Sequence, residues 1–222
     1  MRREDGFTLP EVLIASLIGF IVLSGALGLL ESTVRLGGGT MSKTDAMQRG
    51  RLAMDVVTRQ LRSQVCAVAG SPAIVDGRDS SISFYADFGD GSRAPDRRTL
   101  QLDSGRASLV ATVHTGTGTP PGPYAFPSTP SRTEHVLENV VAPTGTPFLR
   151  YFAFSTAAQP APDVLLATPL SAADRRRVAR IEVAFSARPT GATDGKHAIT
   201  LRDQVLVRHA DVNSSEPDPF CP

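Results

Sequence analysis

The segment Gly6-Phe7-Thr8-Leu9-Pro10-Glu11-Val12-Leu13-Ile14-Ala15 sets a glycine at the front edge of an apolar run that continues to Leu30, with one carboxylate inside it. At about 1.5 Å per helical residue, positions 7 to 30 reach roughly 36 Å, enough to cross a bilayer core. Fourteen of these residues are Leu, Ile, Val or Phe, and together they favour insertion by roughly 4–8 kcal/mol. One charge costs about 2.5–3.5 kcal/mol at the helix centre and less near an end, where Glu11 stands. Insertion wins. Arg2 and Arg3 precede the run, while Arg35 and Lys43 lie well behind it. That bias predicts a cytoplasmic head and an external remainder, crossing the cytoplasmic (inner) membrane once.

The order of parts matters as much as their content. A secretory leader carries its small-residue cleavage site behind the apolar stretch, so the stretch is discarded. Here the polar head, residues 1–6, comes first, and a cut after Gly6 makes the run the new N-terminus. The Gly-Phe-Thr-Leu-x-Glu edge resembles the cleavage and methylation motif of type IV pilins and type II secretion pseudopilins. That resemblance implies cleavage by prepilin peptidase after Gly6 and methylation of the new Phe7 amine. It also implies that Glu11 pairs with a neighbouring subunit's N-terminal amine during assembly. Pro10 departs from the commonest pattern, but it falls in the first helical turn, where the missing N–H costs little. Two other readings stand beside it: a signal anchor with a stray Glu, and a leader cut near Ser24-Gly25-Ala26.

Composition bounds the rest. The chain has 222 residues with 23 basic and 22 acidic side chains, so its global charge does not point to nucleic acid. About 190 residues remain beyond the membrane segment, enough for one domain with its own core. Seventeen prolines and nineteen glycines make that domain loop-rich and β-leaning. Cys66 and Cys221 both fall on the outer side, where a disulfide is permitted. A bridge closing so large a loop adds about 5 kcal/mol at most in the chain-entropy model; two free thiols are the alternative.

Apolar positions Met47, Met54, Val57, Leu61, Val65 and Val68 recur at helical spacing, with Arg49, Arg51, Asp55, Arg59 and Arg62 on the other face. One long helix is expected, first in lipid and then laid on the globular domain. Gly37-Gly38-Gly39 should interrupt it, since each glycine costs roughly 1 kcal/mol relative to alanine. The expected divisions are a leader at 1–6, a membrane half at 7–30, a hinge and amphipathic half at 31–69, and an extracytoplasmic domain at 70–222.

Beyond Gly70-Ser71-Pro72, β-type runs are expected at 82–88, 99–102, 108–114, 135–141, 148–154, 178–186 and 198–207, separated by turn residues. The fold class is therefore α+β, a long N-terminal helix on a mainly antiparallel sheet, as the resemblance also implies. Arg51-Leu52-Ala53-Met54-Asp55 with Leu61-Arg62, Arg180-Ile181 and Val207-Arg208 resemble the PilW-like and J-type minor pseudopilins.

Catalytic patterns are not found. His114, His135, His197 and His209 lack metal-ligand spacing, and no phosphate loop or G-x-S-x-G elbow appears. Asp87, Asp90 and Asp96 surround an Asp-Gly turn and form a weak Ca²⁺ candidate without the EF-hand pattern. Arg175, Arg176, Arg177 and Arg180 form a basic cluster that reads either as a DNA or anionic-lipid contact or as a solvated surface.

The expected protein is a non-enzymatic pilin or pseudopilin subunit without a cofactor. Its partners are sibling subunits, prepilin peptidase and the membrane, with nucleic acid only if it serves a DNA-uptake pilus. The competing readings are a signal-anchored extracellular binding domain that never polymerises and, more remotely, an anchored hydrolase.

Overall fold

The computed structural model describes residues 8–67, 71–88, 94–119, 122–155, 161–191 and 198–207. It divides into two compact units, Met1–Thr44 and Asp45–Pro222. Helix α1, Leu9–Arg62, begins in the first and ends in the second.

In the first unit α1 starts where the Thr8 carbonyl accepts the N–H groups of Glu11 (3.0 Å) and Val12 (3.2 Å). Leu9 and Pro10 open the helix, so the proline sits where no intrahelical N–H bond is due. The expected interruption at Gly37–Gly39 is absent: α1 is continuous through all three. Glycine weakens a helix by about 1 kcal/mol per residue without forbidding it. No packed surface carries the backbone through at Gly37 or Gly38, where an added Cβ would meet nothing within 4 Å among the described residues. Hydroxyls downstream bond back one turn, Ser42 to the Gly38 carbonyl (3.0 Å) and Thr44 to that of Thr40 (3.0 Å).

In the second unit α1 buries Ala46, Ala53, Met54, Val57 and Leu61. Met47, assigned to this stripe from spacing, instead stands on the exposed side. Small residues bring the helix close to the sheet. A Cβ on Gly50 would lie 2.6 Å from Leu201 Cδ1 and 3.2 Å from the Ala187 Cβ. Arg51, Asp55, Arg59 and Arg62 face solvent as expected. Arg49 does not, because its guanidinium pairs with Asp45 (3.1 Å) and donates to the Arg188 carbonyl (2.8 Å). The helix ends at Arg62, short of the expected 68 or 69. From there the backbone is drawn into the sheet: Gln64 bridges Ala86, and the Val65 N–H donates to the Tyr85 carbonyl (3.0 Å).

Two antiparallel sheets follow. The first is a meander of β1 (Ile74–Gly77), β2 (Ser81–Ala86), β3 (Asp96–Asp103), β4 (Ser108–His114) and β5 (Arg132–Glu138), in that spatial order. The second runs β10 (Ile199–Leu206), β9 (Arg180–Ala187), β7 (Leu149–Ala153), β8 (Val164–Leu166), with the short β6 (Val140–Val141) also pairing β9. Alternation drives each strand: β2 buries Ile82, Phe84 and Ala86 and turns Ser81, Ser83 and Tyr85 outward. One apolar cluster joins Leu61 of α1, Phe84 and Leu100 of the first sheet, and Tyr151, Ile181 and Phe185 of the second.

The run expected as one strand, 135–141, is split at Asn139, whose φ of +57° lies in the left-handed region. Asparagine tolerates that conformation better than most residues. The kink sends Glu138 to pair with Ser108 in the first sheet and Val140 with Ala187 in the second. Strands β1 and β8 and the short helix α2 (Ala172–Arg177) were not expected. Helix α2 is opened by the Ser171 hydroxyl, which accepts the Asp174 N–H (3.0 Å), so Arg175–Arg177 lie on a helix rather than beside a strand.

Candidate functional site

From Leu9 to Leu30 the apolar side chains surround α1 rather than line one face. Leu9, Val12, Leu13, Ile14, Leu17, Ile18, Phe20 and Ile21 are all exposed, and none of this stretch is buried within the chain. A helix apolar on every side is built for lipid or for other helices. Added Cβ atoms on Gly19, Gly25 and Gly28 would meet nothing within 4 Å. These positions permit close approach by another helix without requiring it.

Glu11 lies in the first turn of this helix, where a carboxylate is favoured by the N-terminal partial charge. Its side chain is exposed, and no ion pair forms to it among the described residues. Gly6 and Phe7, expected at the cleavage and methylation point, lie outside the described residues.

The other expected site residues are scattered. Cys66 follows the end of α1 and is disulfide-bonded; Cys221 lies outside the described residues. Of the Ca²⁺ candidate, Asp90 also lies outside. Asp87 and Asp96 line one cleft of about 740 Å³, and Asp96 is ion-paired to Arg98 at 3.2 Å. Among the described residues no three His, Cys, Asp or Glu gather to hold a metal. The basic cluster does not form one solvated patch. Arg175 reaches the Val75 carbonyl, while Arg180 stacks 3.8 Å over the Phe152 ring and donates to the Pro162 carbonyl at 2.8 Å.

Residues 1–27 match the family model described as "Prokaryotic N-terminal methylation motif". No curated protein matches the chain. The motif and the long helix followed by antiparallel sheets support a type IV pilin-like protein, and the N-terminal helix is long and apolar enough to cross a membrane. The motif implies processing by prepilin peptidase and assembly with other pilin subunits.

Proposed function

We propose that the chain is a minor pilin or pseudopilin of the PilW-like or J-type kind. It crosses the inner membrane once with its β-rich domain outside, is cut after Gly6, and enters a type IV pilus-like or type II secretion filament by helix packing. The observation that carries this reading is the methylation motif over residues 1–27, set on a helix with an exposed apolar surface and with an exposed Glu11 in its first turn. A lipid-embedded carboxylate selects the packing that brings it an ammonium group. The Phe7 amine freed by cleavage is the group the motif supplies. A DNA contact belongs to this reading only if the filament serves DNA uptake.

Intact-mass measurement on protein from a host with prepilin peptidase tests the proposal. The expected mature chain lacks residues 1–6 and carries one extra methyl group on Phe7. A chain still beginning at Met1 supports a non-polymerising signal anchor instead.

We assign the partner of Cys66 as Cys221, the second of the two cysteines in the chain. This bridge ties the segment after α1 to the C-terminal tail and constrains the unfolded chain more than the folded one. Proteolysis without reductant should release one linked peptide pair containing both cysteines. Recovery of Cys221 as a free thiol refutes the assignment.

A further inference from the structure

We propose that the cleft at one end of the five-stranded sheet, between the end of β2 and the loop after β4, binds a neutral oligosaccharide. Its volume of about 740 Å³ falls in the range of small-molecule sites, about 300–1,000 Å³. This goes beyond the filament-subunit reading and does not depend on assembly.

The argument begins with Phe88, which lines the cleft and is 50% exposed although it is a large apolar residue. The Arg98 guanidinium covers its ring at 4.3 Å from the centroid. Arg98 is itself held by Asp96 at 3.2 Å, with its side chain only 9% exposed. The ring is thus braced from inside while half its surface remains open. A braced, open aromatic ring is a platform for the C–H face of a sugar, which offers area without charge.

Around it stand groups that accept or donate to hydroxyls: the carboxylates of Asp87 and Asp96 and the hydroxyl of Thr115. Two of the charges lining the cleft, Asp96 and Arg132, are paired within the protein. Asp96 pairs with Arg98, and Arg132 pairs with Glu134 at 2.7 Å. A charged ligand would have to displace these partners, whereas a neutral polyhydroxyl chain does not. An apolar ligand would strip water from the carboxylates without replacing its hydrogen bonds.

The opposite wall is fixed in advance. Gly116 is wedged so closely against the Pro95 carbonyl that no Cβ fits. Gly118 has a φ of +125°, and a Cβ there would meet the Pro123 carbonyl at 2.6 Å. Thr117 and Ala125 exchange both backbone hydrogen bonds at 2.9 Å. The Ser131 hydroxyl accepts the Thr115 N–H at 2.7 Å. A wall set before binding loses less freedom when the ligand arrives.

The experiment uses the full-length protein in phosphatidylcholine nanodiscs, unassembled, with cellohexaose, maltohexaose and chitohexaose as probes. Saturation-transfer NMR should show transfer to ring C–H protons of at least one probe, saturating with a dissociation constant of about 0.1–5 mM. Phe88→Ala should weaken binding tenfold or more, and Phe88→Tyr should retain it. Thr115→Val, which leaves the Phe88–Arg98 stack untouched, should weaken it severalfold and guards against a folding artefact in the alanine variant. The proposal is overturned if none of the three probes receives transfer beyond empty nanodiscs, or if binding survives both Phe88→Ala and Thr115→Val. It is equally overturned if an anionic probe, oligogalacturonate, binds more tightly than all three. Because no filament forms in the assay, these failures leave the subunit reading standing.

Discussion

Glu11→Ala protein should insert into the membrane at least as well as the parent and fail to enter filaments. The substitution removes the one charge among residues 7–30, so insertion gains up to about 2.5 kcal/mol, less the nearer the residue sits to the interface. In the assembled state the balance reverses. Removing one partner of a pair buried in low dielectric costs about 3–5 kcal/mol, because the other charge is left uncompensated. Here the stranded charge would be the ammonium of Phe7 on a neighbouring subunit. That energy corresponds to a fall of roughly two to four orders of magnitude in association, since each 1.4 kcal/mol is tenfold. Glu11→Gln should show an intermediate defect, keeping hydrogen-bonding capacity without charge. The measurement is the ratio of sheared-filament to membrane-fraction protein in a strain that supplies sibling subunits. Parental levels of Glu11→Ala in filaments would refute the pairing role while leaving the membrane anchor intact.

Tyr151→Phe should destabilise the β-rich unit at neutral pH and make it less sensitive to alkali. Tyr151 is fully buried on β7 of the second sheet. Its hydroxyl donates toward the Arg78 carbonyl (3.1 Å), in the turn between β1 and β2, and the Ser81 carbonyl (3.3 Å), at the start of β2. Removing it takes the donor from the Arg78 carbonyl, while the Ser81 carbonyl keeps the Arg78 N–H (2.8 Å), at a cost of about 0.5–1.5 kcal/mol. Nearby packing leaves little room for repair: a Cβ on Gly77 would approach Tyr151 Cζ to 3.1 Å and Leu170 Cδ1 to 2.5 Å.

The alkaline response follows from the same burial. Desolvation raises the Tyr151 pKa far above its ordinary value of 10.0, with the Asp76 and Asp79 carboxylates adding to the rise. A group whose folded pKa is raised contributes stability that is fully present below its unfolded pKa. As pH climbs past about 10, the unfolded chain releases the proton and the folded chain keeps it. Stability then falls by up to about 1.4 kcal/mol per pH unit. Urea unfolding of parent and variant at pH 8 and pH 11.5 should show the gap between them narrowing at the higher pH. An unchanged gap would mean that Tyr151 ionises as freely folded as unfolded.

What could be read in the chain depended on how local its cause was. Strand β4 is the clearest case: Ser108–His114 was expected and is observed with those bounds, because alternation and flanking turns specify it without outside help. The bounds of β2, β7, β9 and β10 came within a few residues for the same reason. Helix α2 was legible but unread, since Ser171 and Asp174 stand at capping-box spacing. Strand β8 was not legible: Val164–Leu166 has three residues and exists as a strand only because Tyr151, Phe152 and Ala153 present an edge to it.

The candidate site divides along the same line. Glu11 and the apolar run around it are visible in sequence because lipid is an isotropic solvent, and composition alone decides whether a helix enters it. The Phe88–Arg98 stack was invisible. Arg98 sits on β3 and Phe88 just past β2, ten residues apart, and the β2–β3 register places Arg98 opposite Phe84.

Residue content alone determined the membrane helix, its lone acid, the polar head before it and the presence of an antiparallel β domain. Each follows from free energies that sum over neighbours along the chain: transfer into lipid, helical rise and strand alternation. Tertiary structure alone decided that the helix stops at Arg62 and that Asn139 carries the chain from one sheet to the other. It also decided that Gly50 is the point where helix and sheet meet. These features turn on whether a partner surface far away in sequence compensates a local cost, and that compensation exists only once the two surfaces are packed together.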